Sequence, residues 1–140
     1  MCLYYATRIH KKPIQATRKA WKIVERIGKT GLYQTIFQRT PVSGNWQTCR
    51  NKEWLYCEQG SQVYPTGFHS YATEKDADEA LKLFRAGASW QDRSQWIVVP
   101  CLVKDVIAVG YDGSAGPETA DLRNVVSKRI KVLLPRPPKN

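Results

Sequence analysis

The sequence predicts an α+β fold, with a small, mostly antiparallel sheet and one main helix packed on one face. Three observations predict it. A glycine-bounded turn joins two β-rich segments, KAWKIVERI and LYQTIFQRT; a later segment has the apolar spacing of a helix; and two strand-like runs follow it. The chain has 140 residues, the size of one domain. We expect residues 1–134 to form that domain, and 135–140 to be a basic, proline-rich, disordered tail.

The first elements are predicted to be strands. The opening MCLYYATRIH is rich in aromatic and β-branched residues, and Pro13 interrupts it. KAWKIVERI fits both a helical face and a strand, and the following GKTG favours a hairpin. The same GKT is not a phosphate-binding loop, because the glycine that such a loop needs five positions earlier is Ile23.

Residues 41–65 resemble a long connection around Trp46, Trp54 and Tyr56. These aromatic residues either fill the open side of a small sheet or hold a ligand on a scaffold.

The main helix is predicted from Glu74 to about Ala86. It follows the short strand GFHSYA, with Thr73 as its N-cap and Gly87 as its stop. Its apolar residues fall at i, i+3, i+4 and i+7, which predicts one buried stripe. These residues are Ala77, Ala80, Leu81 and Phe84.

The last third of the chain predicts more strands. WIVVPCLV is apolar throughout, as a buried strand is, and Pro100 indicates a bulge or a sheet edge. KDVIAVGYDG either extends this strand or pairs beside it, and GSAGPETADL is predicted to be a loop. RNVVSKRIKVLL closes the domain as an alternating strand.

The net charge of +10 is unevenly distributed. Residues 1–60 carry eleven basic and three acidic residues, 61–122 carry five and nine, and 123–140 carry six and none. If the two ends of the chain meet in the fold, they form an electropositive face that attracts phosphates. The alternative is a set of scattered lysines that keep the protein soluble.

The four cysteines, Cys2, Cys49, Cys57 and Cys101, show no CxxC pairing, so we expect reduced thiols and predict neither a metal nor a cofactor. The N-terminus lacks a hydrophobic signal core, and no run is long enough to cross a membrane, so we expect a cytoplasmic protein.

Several motifs together resemble those of short bacteriophage and prophage proteins that have no settled activity. They are MCLYY, WKIVE, GFHSYAT before an Asp-Ala helix, WIVVPCLV and VVSKRIKVL, and they span the chain apart from its basic tail. LVKDVIAVG stands where such proteins often carry Ile-Pro-Lys-Gly. The resemblance implies a phage accessory protein that works in the bacterial host cytoplasm; that it counters host defence belongs to the first functional hypothesis below.

GFH before an alanine-rich helix, with a strand ending near VIAVG, also resembles the ADP-ribosyltransferase-like fold. That resemblance casts His69 and Tyr71 as the residues that hold nicotinamide. Such enzymes usually stabilise the developing oxocarbenium ion with a late Glu, and RNVVSKRIKVLL contains none. This departure argues against transfer chemistry.

For His69 the preferred interpretation is a histidine hydrogen-bonded within the sheet, ahead of ligand contact and of chemistry, since no catalytic triad or Cys-His pair is legible.

The first functional hypothesis is a noncatalytic protein that binds an anionic nucleotide signal or nucleic acid on a basic, aromatic-lined surface. The candidate ligand-binding residues are Arg8, Lys11, Lys12, Arg18, Lys22, Trp46, Arg50, Trp54, His69, Tyr71, Lys128 and Arg129. The alternatives are a protein-protein inhibitor of a host defence or regulatory protein, and a transferase-like enzyme. A homo-oligomer is also compatible with the strand edges of a small sheet.

Overall fold

The protein is described by a computed structural model that covers residues 3–36, 40–59, 62–87, 95–113 and 116–135. Its strands are β1 (Leu3–Ile14), β2 (Arg18–Arg26), β3 (Tyr33–Thr35), β4 (Pro41–Val42), β5 (Gln47–Thr48), β6 (Trp54–Tyr56), β7 (Val63–Pro65), β8 (Phe68–Tyr71), β9 (Trp96–Asp112) and β10 (Arg123–Val132). Helix α1 spans Glu74–Gly87, and Gly116–Thr119 form a short 3-10 helix.

The fold is mostly β, so the prediction of an α+β fold with a small sheet is wrong. Strands make up 55% of the described residues and helices 15%, and eight strands form one antiparallel sheet. β6 and β7 pair separately. Of the two alternatives for KDVIAVGYDG, the first is confirmed, because it extends WIVVPCLV into the single 17-residue strand β9. The four strands of segment 41–65 were missed. Strands of two or three residues are too short to show a periodic pattern.

Strand β9 is the centre of the sheet. β1 and β2 pair one after the other along one edge, with Leu3 opposite Asp112 and Arg18 opposite Val103. β10 pairs along the other edge. Because β1, β2 and β10 all run antiparallel to β9, the first 26 residues follow nearly the whole length of this one strand.

β9 bends at its middle. Asp105 has a φ of 56°, which an L-residue seldom adopts, and the β10 register shifts at Ile107, which has no direct partner. On the other edge, residues 15–17 separate β1 from β2. The bend allows β2 to reach β8, where Trp21 pairs with Tyr71. The pairings therefore form a closed ring of β2, β9, β10 and β8.

The side chains of β2, β9 and β10 that point to the inside of this ring form an apolar core. Residues two apart on a strand share a face, and the cross-strand register carries that face from one strand to the next. The buried members are Ala20, Val24, Val99, Cys101, Val103, Ile130 and Val132.

Helix α1 covers part of the sheet face that points away from this core. Its observed range, Glu74–Gly87, confirms the predicted helix. The Thr73 hydroxyl accepts a hydrogen bond of 3.1 Å from the Asp76 N–H, as an N-cap does. The predicted stripe is buried against β2 and β9 together with Ile23 and Trp96. At the other end, Arg85 donates a hydrogen bond of 2.8 Å to the Trp96 carbonyl.

The predicted hairpin is also present, since β2 and β3 pair from Val24 and Thr35 to Arg26 and Tyr33. β1 continues through Pro13, although its pairing with β9 is interrupted between Ile9 and Ile14. The predicted disordered tail falls mainly on residues 136–140, which lie outside the described residues. In the described part of the chain, no helix combines the length and the apolar character that crossing a membrane requires.

Candidate functional site

A cavity of about 440 Å³ lies beside the ring. Its walls come from β2, β3, β4, β5, β8, β10, α1 and the segment between β5 and β6. Apolar side chains dominate, among them Ile23, Phe68, Phe84 and Ile130, with a few polar groups between them. This volume is within the range of small-molecule sites, which combine apolar walls with a few polar groups that fix the orientation of the ligand.

Lys22 and Glu53 are the charged residues that line this cavity: the sheet directs Lys22 into it, whereas Glu53 is exposed on the segment between β5 and β6. Lys22 lies on β2 between Ala20 and Val24, both fully buried, so its stem belongs to the apolar row inside the ring. Its ammonium donates a hydrogen bond of 2.8 Å to the His69 carbonyl oxygen and forms no ion pair with any described residue. An ammonium has three N–H donors, so two remain for other partners. Desolvation lowers the pKa of Lys22, because a buried ammonium is costly.

His69 is buried and hydrogen-bonded, as the preferred interpretation holds, although its partner Tyr64 lies on β7 in the small second sheet. The Leu3 N–H donates to the Tyr64 hydroxyl over 2.7 Å, and this hydroxyl lies 3.0 Å from His69 Nε2. Since the hydroxyl already accepts one hydrogen bond, its own proton is available for Nε2. Burial, together with a smaller effect of the positive charge of Lys22, lowers the pKa of His69 to about 3. The ring is therefore neutral at physiological pH and links the N-terminal strand to β8.

Tyr71 also lines the cavity, but its hydroxyl is engaged elsewhere. It donates a hydrogen bond of 2.5 Å to the carboxylate of Asp112, and both residues are buried. What Tyr71 offers to a ligand is therefore its ring.

Lys128 lies at the edge of the same cavity. Its ammonium donates to the carbonyl oxygens of Thr66 and Asn51, both of which line the cavity. The Cys49 N–H donates to the Lys128 carbonyl over 2.8 Å. These bonds hold the segment between β5 and β6 against β10, so the cavity wall is fixed from two sides.

The twelve predicted residues lie in several places. Three line the cavity, and Lys128 stands at its edge. Arg129 forms an ion pair of 2.6 Å with Asp105 at the bend of β9. Arg18 lines a second cavity of about 290 Å³. The other six are exposed on β1 or on segment 41–65, namely Arg8, Lys11, Lys12, Trp46, Arg50 and Trp54.

Several cavity residues were missed by the sequence reasoning. Gln47, Cys49 and Thr66 lie in or next to very short strands and carry no motif. Phe84 was assigned only to packing, and Phe68 only to the short strand GFHSYA. One signal was available: Lys22 interrupts an inward row of β2 that is otherwise apolar, which is unusual for a charged residue.

The described residues contain no group of three or more His, Cys, Asp or Glu side chains that could hold a metal ion. Comparison with known proteins adds no ligand: no family model, no curated protein and no solved structure matches the chain. Within the described residues, the arrangement offers an ammonium that makes one hydrogen bond, to the His69 carbonyl, and aromatic rings around an apolar cavity.

Proposed function

We propose that the protein is a binding protein whose cavity takes a small anion with an apolar or planar body. The observation that carries this proposal is the inward-facing Lys22 ammonium, which forms no ion pair with a described carboxylate, including that of Glu53 in the same cavity. A buried charge without a partner is costly. A ligand carboxylate or phosphate would offset that cost, and its body would contact Phe68, Tyr71 and Phe84.

A nucleotide is our choice within this class. Its phosphate would accept hydrogen bonds from Lys22, and its base would pack against the aromatic wall. In a phage accessory protein, which the motifs of the sequence imply, such a cavity would capture a nucleotide signal of the bacterial host. The neutral His69 and the engaged Tyr71 hydroxyl support binding in preference to proton transfer.

The test is thermal stabilisation by paired compounds. Each nucleoside monophosphate is compared with its uncharged nucleoside, and aromatic carboxylates are compared with their amides. At about one hundred times its dissociation constant, a ligand stabilises by about 2.7 kcal/mol, which raises the Tm of a chain of this size by about 10 °C. We expect this increase from an anion and not from its uncharged partner.

Two variants make the test specific to the site. Lys22→Met removes the ammonium and keeps the length of the stem, whereas Lys19→Met removes an exposed ammonium from the other face of the same strand. Stabilisation should persist in Lys19→Met and disappear in Lys22→Met. Equal stabilisation of both variants would contradict the proposal. So would a wild-type protein that no anion stabilises and that releases no small molecule after purification.

A further inference from the structure

The face of β2, β9 and β10 opposite the Lys22 side chain carries a set of cations, of which Arg129 alone pairs with a described acidic residue. Lys19 and Lys131 both pair with Leu102, one from each side of β9, so the three side chains stand in a row on one face. The two lysine Cα atoms are about 10 Å apart, twice the spacing of neighbouring strands. In the next row, Lys104 pairs directly with Arg129.

The charge on this surface is almost entirely positive. Asp105 is the only acidic residue in the stretches 8–22, 100–106 and 128–132, and it is paired with Arg129 at 2.6 Å. In the described structure, Lys19, Lys104 and Lys131 form no ion pair. Like charges on neighbouring strands destabilise a sheet, so this arrangement has a cost that an external anion would offset.

Farther from the lysines, helix α1 covers this same face of the sheet. Ile23 and Val98 lie on it farther along β2 and β9, and α1 packs against them. The helix stops short of the lysine rows, which are exposed or half-buried. Lys11 and Lys12 stand nearby on the interrupted part of β1, and both are exposed. The uncovered part of the face is therefore basic and continuous across three strands.

We infer that this surface, which we call the lysine face (Lys19, Lys104, Arg129 and Lys131), binds the phosphate backbone of double-helical nucleic acid. Cations in rows suit regularly spaced phosphates, and such contacts are independent of base sequence. The Trp21 ring lies on the same face beside Lys19, but it is half-buried and the Lys19 ammonium lies 5.5 Å from its centre. It is therefore poorly open to stacking by an unpaired base, which favours a duplex over a single strand. The inference does not depend on the cavity, because Lys19 and Lys22 lie on opposite faces of β2.

The test is fluorescence anisotropy with labelled DNA and RNA duplexes of about 20 base pairs and the corresponding single strands, over salt concentrations from about 50 to about 200 mM. The wild type should bind duplexes of unrelated sequence with similar affinity. Lys19→Gln, Lys104→Gln and Lys131→Gln combined should weaken duplex binding at least about tenfold, and should reduce the slope of log K against log salt by about 2 to 3.

The control removes the same charge from other places, through Lys29→Gln, Lys75→Gln and Lys82→Gln combined, all at exposed lysines. It should bind the duplex nearly as the wild type does, and so should the combination of Lys19→Arg, Lys104→Arg and Lys131→Arg. Thermal melting checks that each variant folds. The inference is overturned by equal losses in the two Gln combinations, by wild type that does not bind a duplex at low salt, or by tighter binding to single strands.

Discussion

The ammonium of Lys22 donates a 2.8 Å hydrogen bond to the backbone carbonyl of His69, and this bond joins the two residues that define the cavity. It fixes the charge beside β8 and leaves two N–H donors directed elsewhere. Among the described residues, the lysine is therefore held by the main chain and not by a carboxylate, and its charge is available to a ligand.

The first prediction concerns the stability of the empty protein. Lys22→Met removes a desolvated charge and loses one hydrogen bond from a charged donor to a carbonyl, which is worth about 1.5–3 kcal/mol. Because burial of the charge costs more than that, we expect the free energy of unfolding at neutral pH to rise by about 1–2 kcal/mol. Urea denaturation measures it, with Lys19→Met as a control that changes stability by about 0.5 kcal/mol or less. A loss above about 2 kcal/mol in Lys22→Met would show that the ammonium has a partner within the fold.

The second prediction is a dependence of ligand binding on pH. An anion beside Lys22 favours the charged amine, so binding raises the lowered pKa of Lys22 and takes up a proton where the free amine has lost it. Affinity for the anion should therefore fall as pH rises through the pKa of Lys22 in the free protein. Calorimetry in buffers of different ionisation enthalpy measures the proton uptake. Affinity that stays constant up to pH 10.5, the ordinary pKa of lysine, would contradict this linkage.

The third prediction concerns acid stability. In the folded state His69 titrates at about 3, whereas its ordinary pKa is 6.5, so between these values the unfolded chain binds one more proton. Stability should fall as pH decreases below 6.5, by about 2 kcal/mol by about pH 5. His69→Gln should lose this part of the slope.

The control for acid stability is His10→Gln, which removes the other histidine of the chain, half-exposed on β1. We expect it to keep the slope of the wild type. If His69→Gln shows the same pH dependence as His10→Gln, another group is responsible for the loss.

The fourth prediction concerns close packing at two glycines. A Cβ on Gly67 would meet the Ser127 carbonyl oxygen at 2.6 Å, and a Cβ on Gly110 would overlap the Tyr5 carbonyl oxygen. Backbone atoms cannot move aside as a side chain end can, so Gly67→Ala and Gly110→Ala should each cost about 1–3 kcal/mol. Gly87→Ala, where nothing lies within 4 Å, is the control and should be neutral or slightly stabilising. Melting curves of the three variants test the ranking, and equal Tm values would contradict it.

The fifth prediction separates backbone strain from charge at the bend of β9. Asp105 has a φ of 56° and pairs with Arg129. Asp105→Gly and Asp105→Ala both lose the ion pair, but only alanine strains this backbone, so alanine should be less stable than glycine by about 1–2 kcal/mol. Asp105→Asn, which tolerates this φ, should cost about 1 kcal/mol or less, as expected for a partly exposed ion pair. Equal stability of the Gly and Ala variants would contradict the strain.

Local patterns predicted the elements that local forces determine. The stripe from Ala77 to Phe84 and the cap at Thr73 were sufficient for α1, because a helix is stabilised by residues near one another in sequence. The hairpin of β2 and β3 was likewise marked by glycines at its turn. Positive φ values at Gly28 and Gly31 agree with that reading.

The larger sheet could not be predicted in the same way. The closed ring depends on a bend at Asp105 and on the single pairing of Trp21 with Tyr71, 50 residues apart in sequence, and neither leaves a pattern in the sequence. The cavity depends on the same long-range pairings. Lys22 and His69 were candidates by residue type, but their contact through a backbone carbonyl requires the fold.

The central position of β9 has a consequence for how the chain folds. Its partners β1 and β2 lie in the first 26 residues, whereas β9 itself ends at Asp112. During synthesis the N-terminal strands therefore leave the ribosome long before the strand that completes their hydrogen bonding. The elements that can form early are helix α1 and the local pairings of β2 with β3, β3 with β4 and β6 with β7. The sheet around β9 has to wait, so folding should be slow and should be completed only after most of the chain has been made.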